Sequence, residues 1–252
     1  MKPLKITTTK RRIRKIIKNP KNNPVLIDTN MFTYLGNNLF EILQDKKLPE
    51  VNLRTLKEAR KYVSFNLRLI DEEAKILSVP SVVEEINVII DELKRKSERI
   101  RQTYDFGVRD SIMRKARSKK RVLPETLSRI SEIKSYISRL ERISEVLGER
   151  SKRYEKNNPA IELIARRVND AANVANTYGN LEKISDADTD LVIAAFYEAI
   201  LFENTPFILS NDRDINEIIW YSLNNGYFHP TEKRLIEQRV KIYRKGRRKN
   251  KS

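Results

Sequence analysis

Four acidic positions stand where this chain can do chemistry: Asp28, Glu85, Asp190 and Asp212. Asp28 ends the apolar run Val25-Leu26-Ile27, and Asp212 follows a second run, Pro206-Phe207-Ile208-Leu209. Glu85 lies one turn into the helix expected after Ile76-Leu77-Ser78-Val79. Asp190 opens the apolar stretch Asp190-Leu191-Val192-Ile193-Ala194-Ala195. Acids at the carboxyl ends of buried parallel strands, and at the starts of the helices that follow, face one crevice. Carboxylates gathered there repel one another unless a divalent cation neutralises them. The expected cofactor is therefore Mg²⁺ or Mn²⁺, with Asp28, Glu85, Asp190 and Asp212 as its ligands and Asp188 as a further one.

Each position also has a purely structural explanation. Asp28 is suited to cap the next helix. Ser81 and Glu84 have capping-box spacing, which gives Glu84 a backbone partner, makes Ser81 a supporting residue and leaves Glu85 for the site. Glu84 and Glu85 also point about 100° apart on a helix, so one metal is not expected to take both. Ser185 and Asp188 repeat the capping-box spacing, and Asp186 is equally suited to cap. Asp190, beyond the cap, therefore ranks ahead of Asp188. Asp214 with Glu217 reads as a D-x-x-E cap for the following helix, which leaves Asp212 as the site residue of that segment.

The elements that must position these acids follow from periodicity. Strands are expected near 24–28, 76–79, 206–210 and 239–243, and helices near 35–43, 53–73, 187–203 and 214–224. A long helix starts at Ser81 and is expected to break at Phe106-Gly107. Leu123-Pro124 introduces another helix, about 125–147, closed by Gly148. Its Leu127, Ile130, Ile133, Ile137, Leu140, Ile143 and Leu147 form a narrow seam of the coiled-coil kind, suited to a projecting arm or to a homodimer interface. A further helix runs from Asn158-Pro159 to about Gly179. The expected fold is α/β: a Rossmann-like parallel sheet with a large helical insertion. The boundaries are a basic arm at 1–23, a sheet domain at 24–93 and 181–243, the insertion at 94–180, and a basic tail at 244–252.

Composition removes several function classes. There is no Cys, so disulfides, thiolate metal sites and a Cys nucleophile are excluded. His229 is the single His, in a loop context, and no Gly-x-Ser-x-Gly accompanies it, which leaves no Ser-His-Asp hydrolase. The six glycines are scattered, so neither a P-loop nor a dinucleotide fingerprint exists. No stretch is long and apolar enough for a membrane span. With no Cys to oxidise, a cytoplasmic, intracellular setting is expected.

The net charge of +17 is unevenly placed. Residues 1–21 hold nine Lys/Arg and no acid, and residues 233–252 hold ten Lys/Arg against Glu237 alone. Residues 94–121 carry twelve basic and three acidic residues. Three basic segments around an acidic remainder point to a polyanion partner, nucleic acid, with RNA favoured over DNA. The expected contacts are Arg11, Arg12, Arg14 and Lys15 in the arm, and Arg114, Lys115, Arg117, Lys119, Lys120 and Arg121 in the insertion. Arg244, Lys245, Arg247 and Arg248 supply the tail. Residues 10–18 also fit an amphipathic membrane-surface helix. Tyr104 and Phe106, beside Arg101 and Arg109, are suited to stack on bases or to pack internally.

Together these segments resemble the PIN-domain nucleases. The likeness rests on Ile27-Asp28-Thr29-Asn30, on Pro80-Ser81 through Val83 and Glu85-Ile86, on Asp190 to Ala195, and on Leu209-Ser210-Asn211-Asp212-Arg213-Asp214. It covers roughly 24–93 and 183–243. The resemblance implies a metal-dependent phosphodiesterase, most often a ribonuclease, with Asp28, Glu85, Asp190 and Asp212 on the family's acidic positions. Asn30 falls on its polar position, orienting the first Asp or its water. The helical insertion departs from the compact toxin-type members. Alternatives are a structure-selective DNA nuclease, a non-catalytic nucleic-acid-binding protein on the same fold, and an oligomeric scaffold built on the helical arm.

Overall fold

Short apolar runs flanked by helices assemble into parallel strands buried on both faces, because the crossovers cover them. The computed structural model describes residues 23–33, 52–113, 122–155, 157–178, 184–210 and 212–243. Four strands lie in it: β1 (Val25–Ile27), β2 (Ile76–Leu77), β3 (Phe207–Leu209) and β4 (Lys241–Tyr243). They form one sheet in the order β2-β1-β3-β4, parallel throughout. Ile27 is level with Leu209, and Leu26 with Leu77. The chain thus steps from β1 to β2 on one side and later returns to β3 on the other, which makes the β1–β3 boundary a topological switch point.

The helices among the described residues are α1 (Asn30–Thr33), α2 (Leu53–Glu72), α3 (Pro80–Met113), α4 (Val122–Ser151), α5 (Pro159–Tyr178), α6 (Asp186–Leu201), α7 (Asp214–Asn224) and α8 (Pro230–Arg239). The chain divides into two compact units, one of residues 1–31, 73–84 and 147–252 and one of 32–72 and 85–146.

The first unit carries the sheet. Its central helix is α6, in which twelve residues from Ala187 to Ala199 are buried. A helix that is apolar all round must be covered all round. Accordingly α6 packs on β1, β3, α5, α7 and α8. The helix at 159–178, expected within an insertion, therefore belongs to the sheet-bearing unit. Near the end of α6 the buried carboxylate of Glu198 is fully engaged. Tyr154 Oη donates to it at 2.9 Å, Asn204 Nδ2 at 2.7 Å, and Arg153 lies 2.9 Å away. Arg150 donates to the carbonyls of Glu73 and Ile76 at 3.1 and 3.0 Å, which fixes the entry to β2.

The second unit contains α2 and most of α3 and α4. Ser144 Oγ donates to Asn87 Oδ1 at 2.6 Å, and Lys94 pairs with Glu141 at 2.8 Å, so α3 and α4 run antiparallel here. Arg60 Nε and Glu132 Oε2 join α2 to α4 at 2.7 Å, close as charges but not aligned as a hydrogen bond. The α4 seam is buried within the chain from Ile130 to Leu147, whereas Leu127 is about half exposed. Tyr136 widens that seam, and burial, with Tyr62 nearby, pushes its hydroxyl pKa well up.

Several local expectations need correction. α3 continues through Phe106-Gly107 to Met113, because a single helical Gly costs only ~1 kcal/mol relative to Ala. α4 runs through Gly148 to Ser151. A Cβ at Gly148 would meet Val83 Cγ1 at 3.7 Å, so the glycine lies inside a helix rather than ending one. Pro80 takes the first helical position of α3. That makes Ser81 the second residue, not the cap, and leaves Glu84 exposed. His229 is not a plain loop residue. It caps α8, its amide donating to Glu232 at 2.9 Å, and Arg167 ties the same carboxylate to α5 at 2.9 Å. The helix expected at 35–43, the side chains of Tyr104 and Phe106, and every nucleic-acid contact named above lie outside the described residues. Among the described residues no helix is long and apolar enough to cross a membrane.

Candidate metal centre

The register of β1 and β3 decides what meets at the carboxyl end of the sheet. Since Ile27 is level with Leu209, the next residues, Asp28 and Ser210, are neighbours across the switch point. The Asp28 amide donates to the Leu209 carbonyl at 3.1 Å, which holds the two strand ends together. Ser210 Oγ donates to Asp28 Oδ2 at 2.5 Å. On the other side of β1, Ser78 Oγ donates to the Ile27 carbonyl at 3.0 Å. Asp28, Ser78 and Ser210 are all buried.

After β3 the backbone curls tightly. The Asp212 amide donates to Ser210 Oγ at 2.9 Å, and the Asp214 amide donates to Asp212 Oδ1 at 3.1 Å. This pair of side-chain turns places Asp212 before α7 and Asp214 on its first residue. Arg213, not an acid, occupies the cap position and makes no side-chain capping bond. Asp214 is thereby released from the capping role expected for it.

The start of α6 supplies the third segment. Ser185 caps the helix by accepting from the Asp188 amide at 3.1 Å, and its hydroxyl donates to Asp188 Oδ2 at 2.9 Å. Asp186 is exposed in the first turn and does not cap. Asp188 is 6% exposed. Carboxylate oxygens of Asp188, Asp212 and Asp214 lie within 4.8 Å of one another. The Asp188 carboxyl is pushed up to about 8, first by burial, then by the negative charges of Asp28 and Asp212, with Asp214 adding to them. The hydrogen bond from Ser185 pulls in the opposite direction without winning. Carboxylates from two other segments thus act on Asp188 at the switch point.

The expected residues are distributed as follows. Asp188 and Asp212 come together, Asp214 joins them unannounced, and Asp28 lies near enough for its charge to act on Asp188. Asp190 is half-buried and lines a small, mostly apolar recess with Val79, Tyr154, Ile161, Ala165, Ile193 and Ala194. Two residues along a helix is roughly 200° around its axis, so Asp188 and Asp190 face different ways. Glu85 is half-buried on α3 in the second unit. Asn30 Nδ2 donates to Ser210 Oγ at 3.3 Å. Ser81 Oγ is buried with no hydrogen-bond partner. Sequence reasoning missed Asp214 and Ser210. The available signal was an Asp-x-Asp pair between a strand end and a helix start, a spacing whose turn geometry turns both carboxylates the same way.

The donor set is made only of hard oxygen atoms, the chemistry of Mg²⁺ and Mn²⁺ rather than of softer ions. Burial is the first cause of the raised Asp188 carboxyl, and the neighbouring negative charges that add to it are of the kind a cation relieves. The residues present therefore fit a divalent cation. Comparison with family models, with curated proteins and with solved structures gives no match to this chain.

Proposed function

We propose that this chain is a divalent-metal-dependent nuclease on a PIN-like fold, hydrolysing phosphodiester bonds in nucleic acid, with single-stranded RNA as the first substrate. The observation that carries the reading is the convergence of Asp188, Asp212 and Asp214 at the switch point of a parallel sheet, beside Asp28, with the Asp188 carboxyl raised first by burial and then by its acidic neighbours. Three basic segments around an acidic remainder supply the complementary argument for a polyanionic substrate.

Asp28, Asp188, Asp212 and Asp214 would hold Mg²⁺ or Mn²⁺. Such an ion lowers the pKa of bound water and offsets charge on phosphoryl oxygens. The protein's own share is to keep the carboxylates converged. Ser185 fixes Asp188, and the Asp214 amide fixes Asp212. Burial and the neighbouring charges hold the Asp188 carboxyl up at about 8, and a cation bound among those neighbours would favour its ionised form. No side-chain nucleophile is required, in keeping with the absence of Cys and the remote, helix-capping role of His229. The basic residues at 1–21, 94–121 and 233–252 grip the phosphate backbone.

The test is cleavage of labelled single-stranded RNA, single-stranded DNA and flap DNA by wild-type, Asp28→Asn and Asp188→Asn protein, in Mn²⁺ or EDTA. Loss of cleavage in EDTA and in both variants is the expected outcome. Preference for flap DNA transfers the assignment to a structure-selective DNA nuclease. Binding of RNA without cleavage in Mn²⁺ refutes the enzymatic reading and leaves a nucleic-acid-binding protein.

A further inference from the structure

The chain's single tryptophan, Trp220, is 55% exposed on α7, the helix whose first residue is Asp214 of the acidic cluster. α7 packs through Ile215, Ile218 and Ser222. At 100° per residue Trp220 falls almost opposite that face, so its indole looks into solvent. Six residues separate it from Asp214, about 9 Å along the helix axis. Tyr221, half-buried, meets the indole at 4.9 Å between ring centroids and 84° between planes, which steadies the ring. A perpendicular contact of this kind covers at most one indole face. Phe202 is the contrast. It is 49% exposed, yet Arg153 lies over its ring at 4.9 Å and Tyr197 meets it at 5.3 Å. It also follows the last residue of α6, at the far end of that helix from Asp188.

The residues one turn from Trp220 are Asn216, Glu217, Leu223 and Asn224, three of them polar. One large ring in a mostly polar stripe is too little apolar area for a protein partner, whose stable interface takes on the order of 800 Å² a side. An unpaired base needs only one aromatic face, and every base brings a matching one. We propose that Trp220 is a base-stacking residue, which lays an unpaired base of single-stranded nucleic acid against α7 within two helical turns of the acidic cluster. This inference rests on the nucleic-acid reading given above and not on a bound cation. A duplex keeps its base faces inside its own stack, so the ring selects single strands. Arg213, exposed and helical in backbone, lies two turns earlier on the same stripe, with Glu217 between. The stripe therefore has little net charge. Affinity comes from the basic segments, and Trp220 contributes the preference for unpaired bases.

A single Trp lets the ring report on itself. Its emission is followed in the full-length protein, in EDTA at low salt, as oligouridylate, oligothymidylate or a blunt duplex of equal length is added. Binding is measured in parallel by anisotropy of a label on each nucleic acid, for wild type, Trp220→Ala, Trp220→Phe and Phe202→Ala. Single strands are expected to quench the emission and the duplex to leave it nearly unchanged. Trp220→Ala should lower single-strand affinity roughly 5- to 100-fold and duplex affinity by less than about 2-fold. Trp220→Phe, which keeps a ring, should recover most of the loss, and Phe202→Ala should match wild type. Single strands that bind without quenching, or that bind Trp220→Ala as tightly as wild type, overturn the inference. So does emission that changes with protein concentration alone, because a second copy of the chain would then cover the ring. If neither single strand nor duplex binds, the nucleic-acid reading itself fails, a different result from either.

Discussion

Replacing Asp188 by Asn should stabilise the metal-free protein at alkaline pH. The Asp188 carboxyl sits at about 8 in the folded chain against 3.8 ordinarily. Below pH of about 4 both folded and unfolded chains hold the proton. Between about 4 and 8 only the folded chain does, so stability falls as pH rises, and above about 8 the whole penalty is present. At ~1.4 kcal/mol for each tenfold change in proton affinity, the ceiling is ~6 kcal/mol. Side-chain relaxation and water entry reduce this, and on the order of 3 kcal/mol is the working expectation. The assay is urea unfolding in EDTA at pH 5 and pH 9. Wild type and Asp188→Asn should differ by less than about 1 kcal/mol at pH 5, and the variant should be the more stable by ~3 kcal/mol at pH 9. Added Mn²⁺ should restore the wild type at pH 9 and do little for the variant. Parallel pH dependences for the two proteins would refute the reasoning, because Asp188 would then be an ordinary carboxylate in both states.

Other substitutions test neighbouring parts of the structure. Asp188→Asn should weaken Mn²⁺ binding by at least about 10-fold, and Asp190→Asn by less than about 3-fold, as titration will show, since Asp190 faces the apolar recess. Glu198→Ala should cost about 3–5 kcal/mol in chemical denaturation, because it strands the Tyr154 hydroxyl, Asn204 and Arg153 around a buried site. Gly148→Ala should raise the unfolding free energy by about 0.5–1 kcal/mol, since the new Cβ meets Val83 at ordinary contact distance. RNA affinity should fall steeply with salt, by a slope of about −4 in log K against log salt if six phosphates are held, measured by fluorescence anisotropy.

Strand-end acids were legible because a buried parallel strand must be an apolar run, and the residue after it must emerge at the carboxyl edge. Asp28 and Asp212 were found that way, as were the positions of β1, β2, β3 and α7. Ranking Asp190 over Asp188 followed from treating a capping position as exclusive. The structure shows Ser185 capping with its own oxygen while its proton engages the Asp188 carboxylate, so one residue serves a cap and a cluster together. Asp214 was misread for the same reason, since the turn bond from its amide to Asp212 replaces a side-chain cap. Gly107 and Gly148 were read as punctuation, but in helices of 34 and 30 residues the packing of the remainder outweighs one glycine's local cost. α8 lacks an apolar stripe, with Ile236 its one buried residue, and periodicity had nothing to detect there.

The contact between Asp28 and Ser210 also has a consequence for how the molecule is made. These residues are 182 positions apart in sequence, and Asp214 comes later still. A ribosome adding roughly 5–20 residues per second needs about 10–40 seconds to pass from the first acid to the last. Throughout that interval β1 has emerged without β3, and the carboxylates have not met. On the proposed function, a growing chain with Asp28 already exposed is harmless to the RNA that encodes it, because the order of translation keeps the centre incomplete until its final third is synthesised.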